Sequence, residues 1–351
     1  MTIVSFLFFV LIFGIVVISH EFGHFLIAKM NGIHVVEFSV GMGPNLFSFK
    51  KGDTIYSLKL LPLGGACMFE GEDGLNLKEG EASEGAFNNA SVWARIATVV
   101  AGPVFNFILG AIVASIMVSM MVIRLPIVEV TENSAALEAG LQNGDKILSL
   151  NGENIYLFEE MSLFNYINGG NEVLVEFERD GQRMETTLTP KYDAEAGGYK
   201  LGVYCGAYAQ ETGIARLKYA WYEMRYCAIN TYKSLQMLVQ GKVKSDDVAG
   251  PVGIAVNVVG KTYEATKEYG VGTVVLNMLN ITLLLTINLG ILNLLPIPAL
   301  DGGRLVFLLI EVVRGKPIPP EKEGMVHFVG LVFFMCLMVF VFFNDLRNIF
   351  G

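Results

Sequence analysis

Two histidines one helical turn apart, with a glutamate beside the first, stand in "VVISHEFGHFLIAKM", Val16 to Met30. On a helix, residues four apart stack along one face, so His20 and His24 point the same way. Two imidazoles so placed can hold one Zn²⁺, and Glu21 can reach a water on that metal as general base. This is the His-Glu-x-x-His pattern of zinc peptidases. The setting sharpens the reading. Residues 1–19 carry no charged side chain, and the three polar groups extend that apolar run. A charged side chain at mid-membrane costs about 2.5–3.5 kcal/mol on insertion scales, so such groups usually mark function. The plainer alternative is a solvated helix end with incidental histidines.

Catalytic zinc needs a third protein ligand and an open position. "NLGILNLLPIPALDGGR", Asn288 to Arg304, offers Asp301. Pro296, Pro298 and Gly302-Gly303 must break a helix there. A carboxylate in irregular backbone at membrane depth needs a partner or a cavity, and zinc would be such a partner. Asp301 could also cap the helix from Arg304 onward; the two roles are compatible. His20 lies roughly 28 Å along its helix at 1.5 Å per residue. Asp301 ends an apolar stretch running the same way, so the two sites share a depth.

The elements that must position these residues are apolar. Hydrophobic residues make up 53% of the 351 and charged residues 17%. Four windows lack Asp, Glu, Lys and Arg: Met1–Ser19, Ile96–Ile123, Tyr269–Leu300 and Gly324–Asn344. Each is long enough to cross a bilayer. The expected fold is a polytopic α-helical membrane protein with four transmembrane helices, an inserted extracytoplasmic PDZ domain and a membrane-associated β-hairpin. The first helix and zinc motif occupy 1–30, and a cytoplasmic segment with the hairpin 31–91. The second helix occupies 92–124, the PDZ domain 125–205, and an amphipathic extracytoplasmic segment 206–268. The third helix, broken near 293–303, occupies 269–315, and the fourth 316–351. The first helix lacks the basic start and small-residue cleavage site of a signal peptide. Lys29, Lys50, Lys51, Lys59, Lys78 and Arg95, and then Arg314, Lys316 and Lys322, mark cytoplasmic segments. Both termini and the PDZ domain are then outside, and the metal motif lies toward the cytoplasm. The net charge of −9, without a basic stripe, argues against nucleic acid.

Smaller signals fill the connections. Lys51-Gly52-Asp53 is a turn between alternating flanks, so a hairpin is expected over Phe47–Gly65; the pattern fits equally an end from Leu60 to Gly65 dipping toward the membrane and a solvated loop with a small hairpin. The acidic, Gly-rich run Glu70–Glu84 reads as a surface loop. "NSAALEAGLQNGDKILSLNGENI" at 133–155 resembles the PDZ core, with a strand at Lys146–Leu150, and a second hairpin turns at Arg179-Asp180-Gly181. PDZ domains bind extended chain ends by strand addition. Arg216–Gln240 reads as an amphipathic helix, packed either on the membrane surface or on the PDZ domain. Cys67, Cys205, Cys227 and Cys336 have no paired spacing and read as apolar residues, with a Cys205–Cys227 bridge the one alternative.

Seven pieces in order carry a resemblance over nearly the whole chain: "HEFGH" at 20–24, "FSVGMGP" at 38–44, "LLPLGG" at 60–65, "AGPVFN" at 101–106, the PDZ core, "GPVGIA" at 250–255 and "NLLPIPALDGG" at 293–303. The chain resembles the bacterial site-2 protease family, intramembrane zinc metalloproteases with one PDZ domain. The resemblance implies zinc on His20, His24 and Asp301, Glu21 as base, and Asn293 holding the substrate or the developing oxyanion. It also implies that the strand ending at Leu63, Gly64 and Gly65 pairs with an unwound substrate. Implied partners are the lipid bilayer and single-span membrane proteins of the bacterial cell membrane, cut first by a site-1 protease. Gly102 and Asn106, four apart, have the plainer reading of close helix packing. A scaffold without activity and an ion transporter are the competing classes. The intact metal and base positions speak against the first, and the lack of internal repeats against the second.

Overall fold

The structure is a computed structural model. It describes residues 2–72, 84–243 and 248–350, apart from the side chains of residues 62, 63, 320 and 350. The loop expected over Glu70–Glu84 therefore lies mostly outside the described residues. Within them, four helices are long and apolar enough to cross a membrane: Ile3–Met30, Val92–Met120, Val271–Asn293 and Glu321–Ile349. They are called the first to fourth spans. The chain forms two units, residues 1–113 with 231–351, and residues 114–230.

In the first unit, helix is the element in which an apolar segment satisfies its own backbone in lipid. Thr2 caps the first span by accepting the Ser5 N–H at 3.3 Å, and the span stops before Gly32, at φ +74°. One stripe of the span is buried: Ser5, Phe9, Ile12, Val16, His20, His24 and Ala28. Leu7, Leu11, Ile15, Ile18 and Phe22 on the other side are exposed, as a lipid-facing stripe must be. The two histidines thus continue the inward face. Small residues let the spans approach. A Cβ at Gly23 would strike the Ala101 carbonyl, and one at Gly110 would strike Ile287. Phe9 and Ile12 pack with Ala255, Val259, Val274, Met278 and Ile281, so the helical run that starts at Pro251, with a π turn over Ile254–Gly260, lies against the first span.

The hairpin is longer and more folded than the alternation in the sequence conveys. Strand β1 runs Val35–Lys51 and β2 runs Thr54–Phe69. Residues 47–50 pair with 55–58 around the expected turn, residues 55–58 also pair with 37–40, and 37–40 pair in addition with 65–68. Each strand doubles back, β1 at Gly41–Gly43, where both glycines take φ +90°, and β2 before Gly65. The run 65–68 is the last of these four neighbours.

The third span ends at Asn293. After a break, a second helix runs Asp301–Arg314. Turn-like bonds hold the break, from Ile297 N–H to Leu295 O at 2.7 Å and from Leu300 N–H to Ile297 O at 3.2 Å. Gly302 and Gly303 lie flat on it: a Cβ at either would meet the Leu295 or Ile297 carbonyl. The new helix has no side-chain cap. Asp301 is its first residue, and its carboxylate turns toward the histidines and away from the helix end. Arg95, at the start of the second span, bonds Glu311 of this helix at 2.5 Å.

In the second unit, β3 (Lys146–Leu150), β4 (Glu153–Asn154), β5 (Val173–Arg179) and β6 (Gln182–Leu188) form a sheet in the order β4-β3-β5-β6. Asp180 and Gly181, both at positive φ, make the tight turn between β5 and β6. Val128, Leu141, Ile147, Phe158, Val175, Phe177 and Leu201 share one core. Helix Phe158–Asn168, which the sequence reading missed, is part of it. The helix Ala215–Val239 meets this unit through Tyr222 stacked on Tyr156 and an ion pair from Arg225 to the buried Glu160. Ile214, Leu217 and Trp221 stay exposed on it. None of the four cysteines is in a disulfide, so no Cys205–Cys227 bridge forms.

Candidate active site

His20 and His24 sit where the buried stripe of the first span meets the second span. The reason is local. Gly102 gives them room, since a Cβ there would collide with both rings. Pro103 has no N–H for the carbonyl four residues earlier, Val99. The neighbouring carbonyl, Thr98 O, bonds His24 Nδ1 at 2.8 Å. A carbonyl only accepts, so the His24 proton is on Nδ1 and its Nε2 presents a lone pair.

His20 is fixed in the same way. Its Nδ1 lies 3.1 Å from the Asn106 amide, which is fully buried with its Oδ1 unpartnered. The two ends of an amide have the same shape. With oxygen facing the ring, Asn106 accepts the Nδ1–H, and the orphan oxygen and the ring are satisfied together. His20 Nε2 then also presents a lone pair.

Those two nitrogens face each other at 3.2 Å, and Asp301 Oδ2 lies 3.1 Å from the first and 3.3 Å from the second. Three lone pairs converge on one point, and Oδ2 is buried without a hydrogen-bond donor. Such groups stay together around a shared proton or a metal cation. Donors of a tetrahedral zinc with bonds of about 2.0–2.1 Å lie roughly 3.3 Å apart, so the triangle has the size zinc requires. Among the described residues, His20, His24 and Asp301 are a group placed so that it could hold a metal ion.

A cavity of about 460 Å³ opens on this triangle. Glu21 lines it, with the β2 backbone at Cys67 within hydrogen-bonding reach of its carboxylate. Asn293 lines it too, its Nδ2 lying 3.4 Å from His20 Nε2. Gly64 and Gly65 form part of the wall, and a Cβ at Gly65 would press on Glu21 and Val17. Leu63 is in β2, its side chain outside the described residues. The structure thus gathers His20, Glu21, His24, Asn293, Asp301, Gly64 and Gly65 around one cavity. Sequence reasoning left Asn106 as a packing residue and passed over Thr98. The signal available for Asn106 was that it is the one side-chain amide in the second span.

Two imidazoles and a carboxylate around one metal position, a second carboxylate beside them and apolar helices around all of these define a metallopeptidase set in a membrane. The chain belongs to peptidase family M50, the site-2 protease family of zinc metallopeptidases, whose family model matches residues 8–337. It is 34% identical to zinc metalloprotease RasP of Bacillus licheniformis, over 97% of this chain and 98% of the relative. It is 32% identical to zinc metalloprotease RasP of Geobacillus kaustophilus, over 99% of each. It is also 32% identical to the regulator of sigma-W protease RasP of Bacillus subtilis, over 97% and 98%. The protein is therefore a multi-pass membrane zinc metallopeptidase.

Proposed function

We propose that this peptidase cuts other membrane proteins within or next to a transmembrane segment, with His20, His24 and Asp301 holding zinc and Glu21 as base. The observation that carries the proposal is the convergence of three unshared lone pairs with Glu21 and Asn293 on one cavity, at the end of a lipid-flanked helix. Zinc bound there supplies Lewis acidity to an attacking water and to the scissile carbonyl. Glu21 takes the proton from the attacking water and returns it to the leaving amine. The Asn293 amide, beside the metal position, donates to the oxyanion that develops. A transmembrane helix hides its carbonyls, so the substrate must unwind. The backbone of residues 65–68, at the end of the β1/β2 pairing and on the cavity wall, can give replacement bonds by strand addition.

Residues 125–205 are read as a PDZ domain outside the cell membrane. In support, the second unit has a groove of about 460 Å³ between helix Phe158–Asn168 and the Leu201–Tyr204 segment. Its role would be to sort substrates, excluding those with a bulky outer domain until a first cut is made outside. A relative named as a regulator protease favours membrane-anchored regulators as the substrate class, and signal-peptide remnants are the second. The test compares cleavage of a single-span substrate by purified wild type and by Glu21→Gln. The variant is expected to keep zinc and lose activity by 10²–10⁴-fold or more. Near wild-type cleavage by it would end the proposal. Deletion of residues 128–204 with a flexible linker is expected to admit substrates that keep their outer domain.

A further inference from the structure

The fourth span is otherwise a run of apolar residues from Gly324 to Asn344, yet it contains His327. An ionisable side chain inside a span is costly and points to a task. Nothing in the zinc chemistry uses it. In the structure it faces the break in the third span. The Ala299 N–H donates to His327 Nδ1 at 3.1 Å. Ala299 is held at φ +71°, a conformation strained for a non-glycine residue that persists only where surroundings impose it. A second contact presses on the same turn. Gly330, one helical turn further along, lies so close to Pro298 that a Cβ would strike its backbone and ring. Asp301 follows two residues after Ala299, and its carboxylate must meet two nitrogens carried by a different helix at 3.1 and 3.3 Å. Inside the break itself, the backbone bonds from Ile297 to Leu295 and from Leu300 to Ile297 are short-range, so the turn depends on what packs against it.

We propose that His327 is a positioning residue for the metal site: by accepting the Ala299 N–H it imposes the left-handed turn that delivers the Asp301 carboxylate to His20 and His24. The proposal rests on the reading of Asp301 as a zinc ligand. It assigns the fourth span, which contributes nothing to the cavity wall, a part in metal retention. The chemistry is specific. The acceptor must sit at the δ position of residue 327. Asparagine places an amide oxygen there, glutamine places its amide one bond further out, and alanine places nothing.

The test uses the full-length protein in detergent micelles, loaded with zinc. The rate of zinc release to a chromogenic chelator and the melting temperature are measured for wild type, His327→Ala, His327→Asn, His327→Gln and Asp301→Ala. Loss of a group that orients a ligand typically weakens metal affinity by about 10–100-fold. His327→Ala and His327→Gln are expected to release zinc faster by a factor in that range. His327→Asn is expected to stay within a fewfold of wild type. Zinc retention by His327→Ala at the wild-type rate overturns the proposal. So does an asparagine variant no better than the glutamine one, since that marks generic packing and not an acceptor at the δ position. Asp301→Ala separates the two layers. If it keeps zinc, the ligand assignment fails; if it loses zinc while His327→Ala does not, only the positioning role fails.

Discussion

At the residue scale, the site is decided by which nitrogen of each histidine carries the proton. Thr98 O and Asn106 fix that for His24 and His20, and both act from the second span. Asn106→Leu removes the acceptor for His20 Nδ1–H and frees the ring to adopt the wrong tautomer. Zinc affinity in a competition titration is expected to fall by about 10–100-fold, while Asn106→Asp keeps an acceptor and should hold most of it. Metal bound at this group would also stabilise the fold, because a ligand that binds only the native state stabilises it by mass action. Chelation should lower the melting temperature of wild type and leave Asp301→Ala unmoved; an equal shift in both would place the chelator's effect elsewhere. The His20/Glu21/His24 group was legible because helical periodicity alone sets its geometry. Asp301 was legible because prolines and glycines in an apolar run can only mean a break. Asn106, Thr98 and His327 were not: what they touch depends on how separate helices face one another, and no local period encodes that.

At the scale of elements, one feature ties the break to the rest. Arg95 and Glu311, both largely buried, join the start of the second span to the helix that begins at Asp301. Removing one partner of such a pair leaves a charge without compensation and costs about 3–5 kcal/mol. Glu311→Ala is therefore expected to be strongly destabilising in thermal unfolding, whereas the double change Arg95→Met with Glu311→Leu should recover much of the loss. A double variant no more stable than the single one would show that packing, and not charge, is at stake. The hairpin illustrates how far pattern reading reaches. The turn at Gly52-Asp53 and the alternation beside it are local and were readable. The doubling back of both strands turns on glycines at positive φ, at 41, 43 and 64. In a sequence these look like any other glycines.

At the scale of the whole molecule, the second unit carries its own response to pH. Burial, followed by the neighbouring Glu159 and Glu160, pushes the Glu223 carboxyl up to about 7 from its ordinary 4.5. A carboxyl with its pKa raised by folding stabilises the native state most when both states are protonated, below about 4.5. That contribution is lost as pH rises through about 7. Hydrogen exchange over residues 215–230, corrected for intrinsic rates, should show weaker protection at pH 8 than at pH 5. Glu223→Gln should flatten the difference, and a slope that survives the substitution would assign it to another group.

The proposed zinc ligands come two from the first thirty residues and the third from residue 301. A ribosome makes these ends at different times, with the second and third spans and the second unit between them. Until the break after the third span has entered the membrane, a nascent chain carries a paired-histidine helix with no carboxylate to complete it. With that ligand set the site stays incomplete while the chain is being made, and a chain stalled before Asp301 is expected to be inert towards its neighbours however well its first two spans have inserted.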